Sequence, residues 1–127
     1  MRVCFSIFLS LVGLSVVLLC HDTWAQNAKE GSKLYSSYCT SCHGDKGKGD
    51  GVAAKSLPVK PADHTNGAVM NKFSDQFLTE IISKGGGAVG KSSFMPAWGS
   101  SLNEKQILDI IAYVRSLADP PYKAAVK

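Results

Sequence analysis

Cys39 and Cys42 stand three positions apart, and the second runs directly into His43. Two thiols at that spacing on a helix end can reach the two vinyl groups of one porphyrin and form thioethers. The next residue's imidazole is then placed to swing under the ring and bind iron, so Cys39-Thr40-Ser41-Cys42-His43 reads as a string for covalent haem attachment. The competing chemistries lack parts. A zinc site wants four ligands, and beyond these three residues the chain after its leader offers only His64 and no second cysteine pair. A thioredoxin-like dithiol wants a βαβ context, and no window alternates as a strand would. A disulfide across two intervening residues closes a tiny loop and removes little unfolded-state entropy.

The elements that must position this string are helical. From Ala28 to Tyr38, Gly31, Leu34, Tyr35 and Tyr38 recur at three and four residues on one face, which predicts a helix running into Cys39. Glycines at 44, 47, 49 and 51, followed by Pro58 and Pro61, predict mostly loop from Gly44 to Asn71. A loop that long in a compact domain calls for something to wrap. Ser74 is placed to cap a helix from Asp75 to Lys84 with Phe77, Leu78, Ile81 and Ile82 on its apolar side, Phe73 stapling against Leu78, and Gly85-Gly86-Gly87 stopping it. A second loop, Lys91 to Ser100, carries Phe94-Met95-Pro96-Ala97-Trp98. Asn103 or Ser101 then caps the clearest helix, in which Ile107, Leu108, Ile110, Ile111, Val114 and Leu117 keep the helical period until Asp119-Pro120-Pro121.

The 127 residues, 45% hydrophobic and 19% charged, suit one small domain and exclude a multidomain enzyme. Residues 1–25 read as a secretory leader: Arg2 supplies the charge, Val3 to Leu19 is apolar apart from Ser6, Ser10, Gly13 and Ser15, and Thr23-Trp24-Ala25 suits cleavage after Ala25. An uncleaved anchor is the alternative, since the apolar run reaches the short end of the roughly 17–25 residues that span a bilayer. Acylation at Cys20 is disfavoured by the bulky Leu19 before it. Residues 26–127 are then the exported domain, expected in the periplasm, with Cys4 and Cys20 left behind in the leader. Nucleic acid is excluded as a partner by export and by the lack of an arginine cluster or basic helix.

From about Ala28 to Ala118 the chain resembles the class I, single-haem c-type cytochromes, bacterial periplasmic members in particular. Gly31-x-x-x-Tyr35-x-x-x-Cys39 is similar to that family's first helix, where the glycine admits the terminal helix. Ile110-Ile111-Ala112-Tyr113 is similar to the facing segment, with Tyr113 the aromatic partner, and the glycine run after His43 and Pro61-Ala62-Asp63 fit the same pattern. The resemblance implies an all-α cytochrome c fold, three to five short helices with long loops wrapped around one covalently bound haem c. Cys39 and Cys42 would hold the porphyrin, and His43 would be one iron ligand.

For the other axial ligand the candidates are Met95, Met70 and His64. Met95 is stiffened by Pro96, lies about fifty residues after His43, and matches the family's Met-Pro ligand loop. A thioether suits iron and raises its potential. Met70 reads otherwise as core packing and His64 as an exposed loop histidine. A carbonyl at Pro58 or Pro61 is expected to accept the second imidazole N–H of His43. Trp98, Tyr35, Tyr38, Phe73 and Phe94 are candidate haem-wall residues. Lys46, Lys48, Lys55, Lys60, Lys72, Lys84 and Lys91 fall between the cysteine string and Met95, and could steer the protein to acidic docking patches on larger redox proteins. The function implied is a monomeric single-electron carrier, not an enzyme. The alternatives are a haem subunit of a dehydrogenase or oxidase complex, and a ligand-binding or peroxidase-like haem protein with Met95 displaced.

Overall fold

A computed structural model describes residues 25–123, so all of the leader assigned to residues 1–25 except Ala25 lies outside that range. Among the described residues there are five α-helices and no strand: α1 (Ala28–Tyr38), α2 (Thr40–His43), α3 (Gly67–Met70), α4 (Asp75–Lys84) and α5 (Glu104–Leu117). No helix among them is long and apolar enough to cross a membrane.

Each long helix starts on a side chain that takes up an otherwise unpaired amide. The Asn27 side chain accepts from the amides of Lys29 and Glu30 at the head of α1, and Ser74 accepts from Phe77 at the head of α4. Asn103 and Gln106 close a reciprocal capping box on α5. Gly85 ends α4 at φ 84°, a conformation that favours glycine.

The core is where α1 crosses α5. Tyr35 on α1 is buried with Ile107, Ile110, Ile111 and Val114 on α5, and its ring meets that of Tyr113 edge-on at 5.1 Å. The crossing closes to backbone contact at Gly31, where a Cβ would stand 1.8 Å from the Asp109 carbonyl oxygen. Two buried charges brace the frame. Asp109 accepts the Asn27 amide at 2.8 Å and binds Lys105. Arg115 donates to the carbonyls of Met70 and Phe73 and to the Asp75 carboxylate, and stacks over Tyr122. The chain leaving α5 is tied back at Asp119, whose amide donates to Thr65 and whose carbonyl accepts from Gly67.

The stretch from Gly44 to Asn71 is mostly loop, as expected, but it also contains a 3-10 turn, Val52–Ser56, and the whole of α3. Neither has apolar periodicity of its own; both are ordered by what they lie against. Phe73, expected to staple against Leu78, packs against the core cluster that contains Leu78 and also stacks on Phe77, rings nearly parallel at 4.8 Å.

Candidate functional site

Helix α2 is a single turn carrying the cysteine string, continuous with α1 through the Cys39 amide, which donates to Tyr35. The glycine run folds straight back onto it: the amides of Gly49 and Gly51 donate to the carbonyls of His43 and Cys42. A Cβ at Gly51 would meet the Ser41 carbonyl at 2.3 Å, so this return is open only to glycine. The result is that Cys39, Cys42 and His43 are aimed into the interior from a fixed turn.

Met95 reaches the same space from the loop that follows α4. Its carbonyl accepts from Gly86 at 3.0 Å, its amide donates to Ser92, and Lys91 donates to Gly86. Cβ atoms at Gly85 and Gly86 would stand 3.0 Å from the Met95 carbonyl and 2.2 Å from the Ser92 carbonyl. The glycine triplet therefore stops α4 and also lets the methionine loop lie flat against its end. Trp98, whose amide donates to Ile82, lies in the same loop and meets Tyr38 edge-on at 5.2 Å.

Between these segments lies a cavity of about 600 Å³. Cys39, Cys42, His43 and Met95 all line it, together with Tyr35, Tyr38, Phe73, Phe94 and Trp98, and with aliphatic side chains of α4 and α5. Its size falls within the ~300–1,000 Å³ usual for cofactor sites. Met70 lines it too but is part of the packed core. No disulfide joins the two cysteines, and burial, with Cys42 adding, pushes the Cys39 thiol up to about 12.

His43 is buried, and its Nδ1 lies 3.1 Å from the carbonyl oxygen of Ala62. A carbonyl can only accept, so Nδ1 carries the proton and Nε2 keeps its lone pair for a metal. Burial lowers the His43 pKa against a smaller opposing effect of that hydrogen bond, which favours the neutral, ligating form. The supporting carbonyl was expected at Pro58 or Pro61. It is Ala62 instead, because the Pro-constrained chain presents the carbonyl of the residue that follows Pro61.

The expectation for His64 is also overturned. Its ring is stacked on His43 at 4.3 Å between centroids with planes 19° apart, and its Nδ1 lies 3.0 Å from the Tyr35 hydroxyl. Burial, reinforced by His43 and opposed by Asp63, holds its pKa down to about 3. The sequence does carry a signal for this. Asp63 accepts both the amide and the hydroxyl of Thr65, an Asx turn that reverses the chain and leaves the intervening residue facing inward.

The seven lysines are all exposed but do not act as one rim. Lys60 and Lys91 line the cavity, beside the half-exposed Phe94. Lys46 and Lys48 border a separate polar depression with Ser36, Ser37 and Thr40.

Residues 26–114 match the family described as cytochrome C oxidase, cbb3-type, subunit III. The chain is similar to the cbb3-type cytochrome c oxidase subunit FixP of Azorhizobium caulinodans, 31% identical over 71% of this chain but only 27% of that protein, so it spans about a quarter of such relatives. It is similar to cytochrome c6 of Nostoc sp., 32% identical over 97% of this chain and 100% of the relative. Among solved structures, the KustC0563 c-type cytochrome shares the fold, with a TM-score of 0.57 at 23% identity over 69% of this chain and 96% of the other.

A covalently attached haem c is the cofactor of this kind of protein, and the residues present fit it. Two thiols, a buried neutral imidazole and a thioether line one apolar cavity. Among the described residues, no three His, Cys, Asp or Glu side chains cluster as a cage for a bare ion.

Proposed function

The chain belongs to the cytochrome c family, and from that premise we propose that it is a single-electron carrier whose haem c is held by Cys39 and Cys42 and ligated by His43 and Met95. The observation that carries this reading is the meeting of these four side chains on one apolar cavity. When bound, the haem supplies a reversible ferric/ferrous couple. The chain's own residues do the rest. The Ala62 carbonyl fixes the His43 tautomer and leaves Nε2 to bind. The glycine-clamped loop presents Met95, a soft ligand that favours the reduced state. Tyr38, Trp98 and the aliphatic side chains of α4 and α5 keep water out. With His43 and Met95 both bound to the iron, no coordination site would be left for a substrate, which favours a carrier over an enzyme.

Lys60, Lys91 and the exposed face of Phe94 suit docking by the cavity mouth to larger redox proteins with acidic patches. On this reading residues 1–25 export the protein and residues 26–127 act as a monomer in the periplasm. A second reading, a haem subunit of an oxidase complex, draws on the similarity to one segment of FixP. The similarity along all of cytochrome c6 supports the stand-alone carrier.

Film voltammetry of haem-loaded protein tests the proposal. A reversible wave of one-electron width, unaltered by dioxygen or peroxide, is expected. A catalytic current with peroxide overturns the carrier reading in favour of an enzyme with an open iron site.

A further inference from the structure

His43 is held by two neighbours that lie only two residues apart. The Ala62 carbonyl accepts from Nδ1, and the His64 ring lies against its face. A hydrogen bond in the plane of a ring fixes the direction of one ring atom and leaves the ring free to tilt and roll about that direction. A flat ring stacked at 4.3 Å removes that remaining freedom.

The stacking ring is itself anchored. The Tyr35 hydroxyl bonds His64 Nδ1, the Tyr35 ring meets the His64 ring edge-on at 5.8 Å, and Tyr35 is almost wholly buried at the α1–α5 crossing. The His64 amide donates to Gly47 at 2.7 Å, and Gly47, at φ 74°, closes over the pair: a Cβ there would stand 3.2 Å from the His64 Cβ. A side chain merely filling space would need neither the aligned planes nor the hydroxyl anchor.

We propose that His64 is a positioning residue: its ring, anchored through Tyr35 to the α1–α5 crossing, sets the plane of the His43 imidazole and thereby the orientation of the axial ligand on the haem iron. The inference rests on the reading of His43 as an iron ligand. In low-spin ferric haem the half-filled iron orbital follows the planes of the axial ligands, so the order and spread of the four haem-methyl proton resonances report ligand orientation. Global stability does not move that pattern.

The test is proton NMR of the ferric, haem-loaded protein as wild type, His64→Leu and His64→Phe. His64→Leu is expected to reorder the methyl resonances, and His64→Phe, which restores a flat face, to return the wild-type order. An unchanged pattern in His64→Leu overturns the proposal, as does a His64→Phe pattern that differs from wild type in the same way as His64→Leu. Should His64→Leu not load haem, His64→Gln, which keeps a partner for the Tyr35 hydroxyl but has no ring, takes its place: a reordered pattern supports positioning and the wild-type order overturns it. Failure of the underlying ligand reading is separate, because it shows in the wild-type spectrum itself as an absence of the low-spin methyl pattern.

Discussion

Replacing Gly31 by alanine sets two effects of opposite sign against each other. Gly31 lies within α1, and on helix propensity alone the change should stabilise by about 1 kcal/mol. The added Cβ would stand 1.8 Å from the Asp109 carbonyl oxygen, 2.4 Å from its carbon and 3.0 Å from the Ile110 nitrogen, all of them backbone. Ordinary contact begins near 3.4 Å, so the helices must part by 3.4 − 1.8 = 1.6 Å along that line. A gap of even ~0.5–1 Å forfeits a quarter to a half of a dispersion contact. The neighbours that would lose contact are Tyr35, Ile110 and Ile111, the most deeply buried large side chains. Overpacking alone costs about 1–3 kcal/mol where side chains can yield, and here only backbone can move. The net expectation is a loss of about 2–4 kcal/mol, lowering the melting point by roughly 10–30 °C for a domain of this size. Thermal unfolding of the haem-loaded protein by circular dichroism measures it. Gly87→Ala is the control, since its Cβ would meet nothing closer than 3.6 Å and should leave stability within about 0.5 kcal/mol. A Gly31→Ala protein melting at or above wild type refutes the backbone-contact account of the crossing.

Two further perturbations probe the frame and the methionine loop. Arg115→Met strands the Phe73 carbonyl, leaves the Met70 carbonyl with the Phe73 amide alone and gives the half-exposed Asp75 over to water, so urea unfolding should show a loss of about 2–3 kcal/mol. Gly86→Val drives a side chain against the Ser92 carbonyl, 2.2 Å from the new Cβ, and against Met95 Cβ at 3.1 Å. It should loosen the methionine loop while sparing the α1–α5 core, read as weaker Met–iron absorption with retained helical circular dichroism.

What was legible in the sequence is what local chemistry dictates. The three long helices follow from apolar spacing, with Ser74 read as one cap and Asn103 or Ser101 as another, and all three fall where that spacing predicts; Asn103 is the cap used, and the Asn27 cap on α1 was not read. The cysteine string announces itself by spacing, and Met95 by the proline after it; the fold carries all of them to one cavity. The Tyr35–Tyr113 contact and the glycine crossing were visible only through resemblance, because nothing local says which helices meet. The 3-10 turn and α3 were missed because they have no apolar period. The Ala62 carbonyl and the inward-facing His64 were misread for a related reason. Backbone carbonyls carry no sequence signature, and the side of the chain a loop histidine faces is decided by the turn around it and by a partner, Tyr35, 29 residues away.

On the proposed function, His43 and Met95 would together ligate the haem iron. The most direct test is the visible spectrum of the oxidised, haem-loaded protein near the red edge, where methionine-to-iron charge transfer absorbs, in wild type, Met95→Ala and Met70→Leu. The band is expected in wild type and in Met70→Leu, and its loss with conversion to high spin in Met95→Ala. A band that survives Met95→Ala, or a wild-type protein that is already high-spin, contradicts that ligation.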